Sequence, residues 1–448
     1  MRTESRRRYM AALAGLAVAA ATALTGMTTA VAAGGVMTPA IGVSPHYKVA
    51  GHVAANPADT TFSCQLTTPA QCYGPNQVRA AYGVDKLAKA GLNGAGRTIV
   101  IVDAFSSPTI TQDLATFDTV FGLPAPKLNI IAPDGMTPFD QSDPVQTSWA
   151  GEISLDVEYS HAIAPAATID LVLAKTSNDA DIFSAQKFVI DHNLGDTLSQ
   201  SFGEAEQCMD PTIQAETHVL YQKAVERHIT VFASSADQGA ALPTCDGTSF
   251  FKAVSTPASD PLVTGVGGTI LDANGTTGAY NSEVVWNEPD FAAAGGGGFS
   301  TLYQTPRFQR SANHSAMRGV PDVAYNAAII GGVLTVWSTS GQGANLIFQF
   351  GGTSAGSPQW AGLTALADQA GHHRIGDINP SIYRLARTPL YGALFHDITM
   401  GDNTFHGPIT IDGFSASKGW DAASGLGSPQ ANHLVPVLAF SSFEDDQG

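Results

Sequence analysis

Ser354 lies in GGTSAGSPQWAG (351–362), after a glycine pair and before the helical run SPQWAGLTALADQA (357–370). A serine at a helix start stands among backbone N–H groups that can bind an oxyanion, although the same position also suits a serine that only caps the helix. To act as a nucleophile its hydroxyl needs a base within hydrogen-bond reach. The chain has 12 histidines, yet no His-Gly-Thr-His segment follows the first strand, and His161 and His192 read as surface or satisfied core residues. The segment WAGEISLDVEYSHAIAPAA (149–167) instead places Glu152 and Asp156 four apart, on one face of a helix. Such spacing commonly marks a solvated face. Here Ala150, Gly151, Ile153 and Leu155 imply a half-buried helix, in which two acids share a proton, one pKa rising and the other falling. Asp237, in VFASSADQGA (231–240), follows a buried strand. A charged carboxylate there would repel an oxyanion, whereas a protonated one donates to it. Both carboxyl arrangements demand low pH.

These residues must be positioned by a large α/β unit. Short apolar runs predict buried strands at 98–104, 167–174, 197–202, 229–235 and 261–269, with helices near 151–162, 180–192 and 212–227. Alternation of this kind implies a mostly parallel central sheet with helices on both faces. Functional groups then gather beyond the carboxyl ends of the strands. Residues 34–71 are rich in Gly, Pro and Thr and predict a loosely ordered lead-in or short remnant propeptide; 72–443 form the main domain and 444–448 a tail.

Arg2 and Arg6–Arg8 precede an apolar, alanine-rich run and then Ala30-Val31-Ala32-Ala33, the pattern of a signal peptide over 1–33 rather than a membrane anchor. Ser5-Arg6-Arg7-Arg8-Tyr9-Met10 fits twin-arginine export as well as the general secretory route. Cleavage removes four arginines and one glutamate, taking 22 basic and 39 acidic residues to 18 and 38, and the net charge from −17 to −20. That balance excludes nucleic acid and anionic surfaces as partners. Four cysteines in an exported chain predict two disulfides, and proximity favours Cys64–Cys72 with Cys208–Cys245.

Nine segments in order resemble the sedolisin family of serine-carboxyl peptidases, which share the subtilisin-like fold: CYGPNQVRAAYG (72–83), GEISLD (151–156), SQSFGE (199–204), SSADQG (234–239), PLVTGVGGT (261–269), GGGGFS (295–300), RGVPDVAYNA (318–327), GGTSAGSPQWAG (351–362) and GWDAASGLGSP (419–429). The resemblance covers residues 72–435. It implies Ser354 as nucleophile, Glu152 as general base and acid, Asp156 as the carboxyl that orients Glu152, and Asp237 as the oxyanion-hole acid. Ser201, Phe202 and Gly203 would line a cleft where an extended peptide adds as a strand. One structural Ca²⁺ is implied, held by Asp397 and Asp421 carboxylates and by carbonyls of Ile398, Ser417 and Gly419. Two departures stand out. Ala236 precedes the acid where glycine is usual, and about forty residues separate the signal cleavage from Tyr73, where the family carries a long prosegment.

The resulting expectation is a secreted, monomeric, acid-active serine endopeptidase acting on proteins or peptides, with tripeptidyl-peptidase action as a variant. Two competitors remain: a subtilisin-like enzyme in which Asp103 orients a histidine, and a non-catalytic secreted binding protein of the same fold.

Overall fold

Apolar, β-branched runs build the central sheet of the computed structural model, which describes residues 42, 46–53, 61–343 and 345–441. Its eight strands are β1 Thr98–Ala104, β2 Lys127–Ile131, β3 Thr168–Ala174, β4 Thr197–Gln200, β5 Thr230–Ser234, β6 Thr264–Ala273, β7 Tyr280–Val285 and β8 Val323–Asn326. They lie in the order β7-β6-β5-β4-β1-β3-β2, with β8 also paired to β6. Every pairing is parallel except that of β6 with β7. All five strands expected from the sequence are present.

Alternation along β1 shows how the two faces are covered. Ile99 and Ile101 join the core that includes α1 (Pro144–Ile163) and α4 (Gly356–Gly371). Val100, Val102 and Ala104 join the core packed by α2 (Asp179–Asp191) and α3 (Pro211–Glu226). Successive strand side chains point to opposite faces, so one apolar strand feeds both cores. The three expected helices are found, and α1 begins seven residues earlier than its apolar pattern suggested. Asp143 caps it by accepting from the Val145 N–H at 2.9 Å, and Pro144 fills the first turn. The half-buried helix expected here is in fact buried at every position from Trp149 to Ile163. A helix covered all round belongs to the core itself.

The expectation of a loose lead-in does not hold over His46–His52. These residues form a strand antiparallel to Leu346–Gly351, with His46 opposite Gly351. Tyr47 anchors it, lying 4.8 Å from the Trp337 ring and stacked on Phe350 at 5.7 Å. Gly42 makes a separate antiparallel bridge to Gly203. The expected disulfides Cys64–Cys72 and Cys208–Cys245 are both formed. The expected signal peptide, 1–33, lies outside the described residues, as does the 444–448 tail. Among the described residues no helix is long and apolar enough to cross a membrane.

Candidate active site

The carboxyl ends of β1, β4 and β5 converge with α1 and the start of α4. Glu152 and Asp156 project from α1 with no exposure at all. Asp156 Oδ1 accepts the Ser201 hydroxyl at 2.8 Å, just past the end of β4, and that hydroxyl also lies 3.3 Å from the Ser354 carbonyl. The Ser354 hydroxyl is 3.4 Å from the Ser201 carbonyl. Ser354 therefore faces the acids across a single serine. Neither Glu152 oxygen has a hydrogen-bond partner of ordinary geometry, though the Ser354 hydroxyl is near enough to favour its ionised form.

Ser354 sits in a tight turn, Thr353–Ala355, between strand Leu346–Gly351 and α4. It is not the cap of α4. Ala355 holds that position and makes no side-chain cap bond, so the capping explanation of this serine fails. The turn needs Gly352, whose φ is +130° and whose substituted Cβ would lie 2.6 Å from Asp237 Oδ2. Asp237 Oδ1 accepts both the Thr353 N–H and hydroxyl at 2.8 Å. This fastens the acid to the residue before Ser354 and leaves Oδ2 against the turn.

Burial is the main force on these acids. It raises Glu152 well above the usual carboxylate range, with the charges of Asp103 and Asp237 adding to the rise. Asp156 is raised foremost by burial, then by Asp103 and Glu152, while the Ser201 hydroxyl works against the rise. The expected split, one pKa up and the other down, is not found, because desolvation acts on both members and exceeds the hydrogen bonds that oppose it. Asp237 also rises through burial, opposed by the charge of His46 and by the Thr353 donors. Asp103, at the end of β1, is pushed up to about 8 by burial, and neither of its oxygens has a partner. The site thus holds four buried acids whose charges meet at Glu152 and Asp156, where the sequence points to three. The sequence offers Asp103 only as partner to a histidine that the chain lacks. Its signal was its place after the first strand. His161 is buried against Pro124 O and Asp118, as expected of a core residue, and His192 bonds the Phe188 carbonyl.

The three residues expected to line the cleft differ in their surroundings. Ser201 is buried in the acid network, and the Phe202 ring packs on Trp149 at 5.9 Å with 2 % exposure. Gly203 lies so close to Ser255 that a Cβ would meet its hydroxyl at 2.1 Å. Near the carboxyl end of the chain, Asp397 Oδ1 accepts the Tyr391 hydroxyl and the Gly419 N–H, both at 3.0 Å. Asp421 accepts from Ser417, Ala423 and Ser424 amides at 2.8–2.9 Å. Burial and then the charges of both aspartates raise the Tyr391 pKa, so the two carboxylates share one neighbourhood. Gly419 has φ +81°, whereas Ser417 has no positive φ and its backbone suits a serine. Among the described residues no cluster of three or more His, Cys, Asp or Glu is placed to hold a metal. This pair would need backbone oxygens to complete a shell.

No family model matches the chain. Among curated proteins it is 31 % identical over 382 residues to kumamolisin of Bacillus sp. (strain MN-32), covering 82 % of this chain and 63 % of that protein. It is 31 % identical over 374 residues to sedolisin of Pseudomonas sp. (strain 101), covering 80 % and 60 %. The chain therefore spans less than two thirds of the length of these relatives. A solved structure of Pseudomonas sedolisin, described as a serine-carboxyl proteinase complexed with two molecules of pseudo-iodotyrostatin, superposes with a TM-score of 0.71 at 27 % identity, covering 83 % of this chain and 99 % of that one. A parallel sheet with α1 and α4 on one face, acids at its strand ends and these likenesses agree on the subtilisin-like fold, and the chain belongs to the sedolisin family.

Proposed function

We propose that the protein is an exported, acid-active serine-carboxyl peptidase that acts as a monomer on protein or peptide substrates. The observation that carries this reading is the buried set of acids facing the Ser354 turn, with Ser201 bonded to Asp156 and Asp237 bonded to Thr353. In the proposed reaction Glu152 accepts the Ser354 hydroxyl proton as the oxygen attacks the scissile carbonyl. Asp156, fixed by Ser201, holds the shared proton that orients Glu152. The oxyanion faces Asp237, whose neutral form donates a hydrogen bond. Glu152 then returns the proton to the leaving amine, and a water repeats the sequence on the acyl-enzyme.

The raised pKa values of Asp156 and Asp237 suit their proton-holding roles, while Glu152 serves as the ionised member of the pair, a form that the Ser354 hydroxyl favours against burial. A peptide-library digest read by mass spectrometry is expected to show cleavage in acid, with the rate falling towards neutrality as the cluster loses its shared protons. The termini produced distinguish internal cuts from removal of tripeptides. An optimum near pH 7 would contradict the carboxyl mechanism, and no cleavage between about pH 3 and 5 would favour a binding protein of the same fold.

We also assign one structural Ca²⁺ to the Asp397 and Asp421 carboxylates with the carbonyls of Ile398, Ser417 and Gly419. The donors fit: all are oxygens, and the Asp397 carboxylate already accepts the Gly419 N–H, two residues before Asp421, which joins one segment to the other. The ion would neutralise two carboxylates and cross-link their loops. Chelation is expected to lower the melting temperature by several degrees, on the order of 1–3 kcal/mol of linkage, while initial rates at low temperature change little. An unchanged melting temperature would count against the site.

A further inference from the structure

Glu204 ends the segment SQSFGE that leads away from Ser354, and no step of the proposed reaction uses it. It stands three residues past Ser201, whose carbonyl is 3.4 Å from the Ser354 hydroxyl. Glu204 and Ala205 pair with Thr256 and Ser255, which fixes the segment as extended backbone. The Gly203 backbone bridges Gly42 in antiparallel sense, so its edge accepts an extended chain in that direction. A peptide running the same way past residues 201–204 brings its scissile carbonyl to Ser354. Its preceding residues then lie against Phe202, Gly203 and Glu204 in turn. Glu204 faces the fourth residue on the amino side of the bond, counting the one that supplies the carbonyl as first. Directly opposed residues of antiparallel strands project to one face, so these two side chains meet.

The surroundings of Glu204 lack what a carboxyl needs. Its side chain is half-buried, and its Oε1 is covered without finding a donor. Asp179, the first residue of α2, is 6 % exposed, and its Oδ1 is likewise covered without a donor. The two carboxyls lie against each other and bond only through a proton that they share. Two acids with one proton between them keep one negative charge. Oxygens so placed are acceptors for a cationic donor. Phe183, one helical turn on from Asp179, is only partly buried on the core that holds Phe202 and Trp149. It offers the methylene stem of a long side chain an apolar surface.

We propose that Glu204 and Asp179 form a specificity pocket for a basic substrate side chain, lysine or arginine, at the fourth residue on the amino side of the scissile bond. The ammonium or guanidinium donates to the two carboxyls while its stem lies along α2 towards Phe183. The pair selects where the chain is cut and takes no part in the chemistry. This rests on the peptidase reading of the neighbouring site.

The test uses the full chain and quenched fluorescent peptides, blocked at both ends, with lysine, arginine or norleucine at that fourth residue of one fixed sequence. In acid, kcat/KM for lysine and arginine is expected to exceed that for norleucine by about tenfold. Glu204→Gln is expected to bring the lysine-to-norleucine ratio close to one, and Asp179→Asn to lower it in part, with the fold of each checked by circular dichroism. A further peptide, starting with a free amine at the third residue before the bond, is compared with its acetylated form. No preference for lysine or arginine, a preference unchanged in both variants, or one that follows only the free amine overturns the inference and leaves the peptidase reading intact. The same labelled peptides are bound to a Ser354→Ala chain and followed by fluorescence anisotropy, where the lysine-to-norleucine ratio is again expected to be about ten. That ratio without cleavage by any chain upholds the pocket and rejects the catalytic reading; equal binding of lysine and norleucine peptides overturns the pocket.

Discussion

Ser354→Ala and Glu152→Gln are each expected to lower kcat by about 10⁴- to 10⁶-fold while leaving the melting temperature and circular dichroism nearly unchanged. The size follows from the division of labour. In the proposed reaction Ser354 forms the acyl bond and Glu152 moves the proton, so loss of either removes the covalent route and leaves only the oxyanion site and peptide binding. The structural cost is small for different reasons at the two positions. Ser354 makes only a long contact to the Ser201 carbonyl and does not cap α4. Glu152 has no hydrogen-bond partner of ordinary geometry, and glutamine keeps its shape while removing a titratable group from a place with no exposure. Titration of each variant with a denatured protein substrate at acid pH checks the prediction. Wild-type turnover in either one would remove that residue from its role.

The second large effect is on stability against pH. Burial raises Asp103, Glu204 and Asp368 to about 8 and Asp377 to about 7. In the unfolded chain these groups lose their protons near pH 4. The folded state therefore binds more protons across the interval. Each group's contribution is fully present below about pH 4 and is lost as pH rises towards 7–8. On the acid side Asp191 works the other way. Lys187 and Lys223 hold it at about 2, so its small contribution disappears as pH falls through that value. The melting temperature is expected to peak in acid and to fall by on the order of 10 °C between pH 5 and 8. Asp103→Asn should flatten that fall, because it removes one of the buried protons at stake. Calorimetry across pH 3–8 decides the matter, and a protein more stable at pH 8 than at pH 5 would refute the account.

Much of this architecture was legible from local pattern. Buried parallel strands read as continuous apolar runs, and β1, β3 and β5 were found within a residue of their ends. Glu152 and Asp156 were legible because helical spacing brings residues four apart together. Ser354 and Asp237 each sit where a strand gives way to a turn, and the structure brings them to the same place, through Thr353, whose N–H and hydroxyl bond Asp237. What escaped the sequence depended on distant partners. Nothing local in WAGEISLD says that α1 is covered on every side, since that burial is supplied by the sheet, α4 and the hairpin carrying Trp337. Asp103 looked like an ordinary strand end until its charge met Glu152 and Asp156 across the core. The strand at 46–52 was missed because HYKVAGH is short and carries a glycine, and its pairing partner lies about three hundred residues away.

The burial of α1 has a consequence for engineering. The helix that would hold the proton-transfer groups also carries Ile153, Leu155 and Val157 in the hydrophobic core. Proton affinity and heat resistance are therefore set by one object. Repacking around Leu155 alters the dielectric surroundings of Glu152, and retuning Glu152 towards neutral pH puts an ion into the centre of the fold. Libraries that select for activity in neutral media should be drawn to the same positions as libraries that select for thermal tolerance, with opposite demands. The two properties cannot be optimised separately without rebuilding the helix.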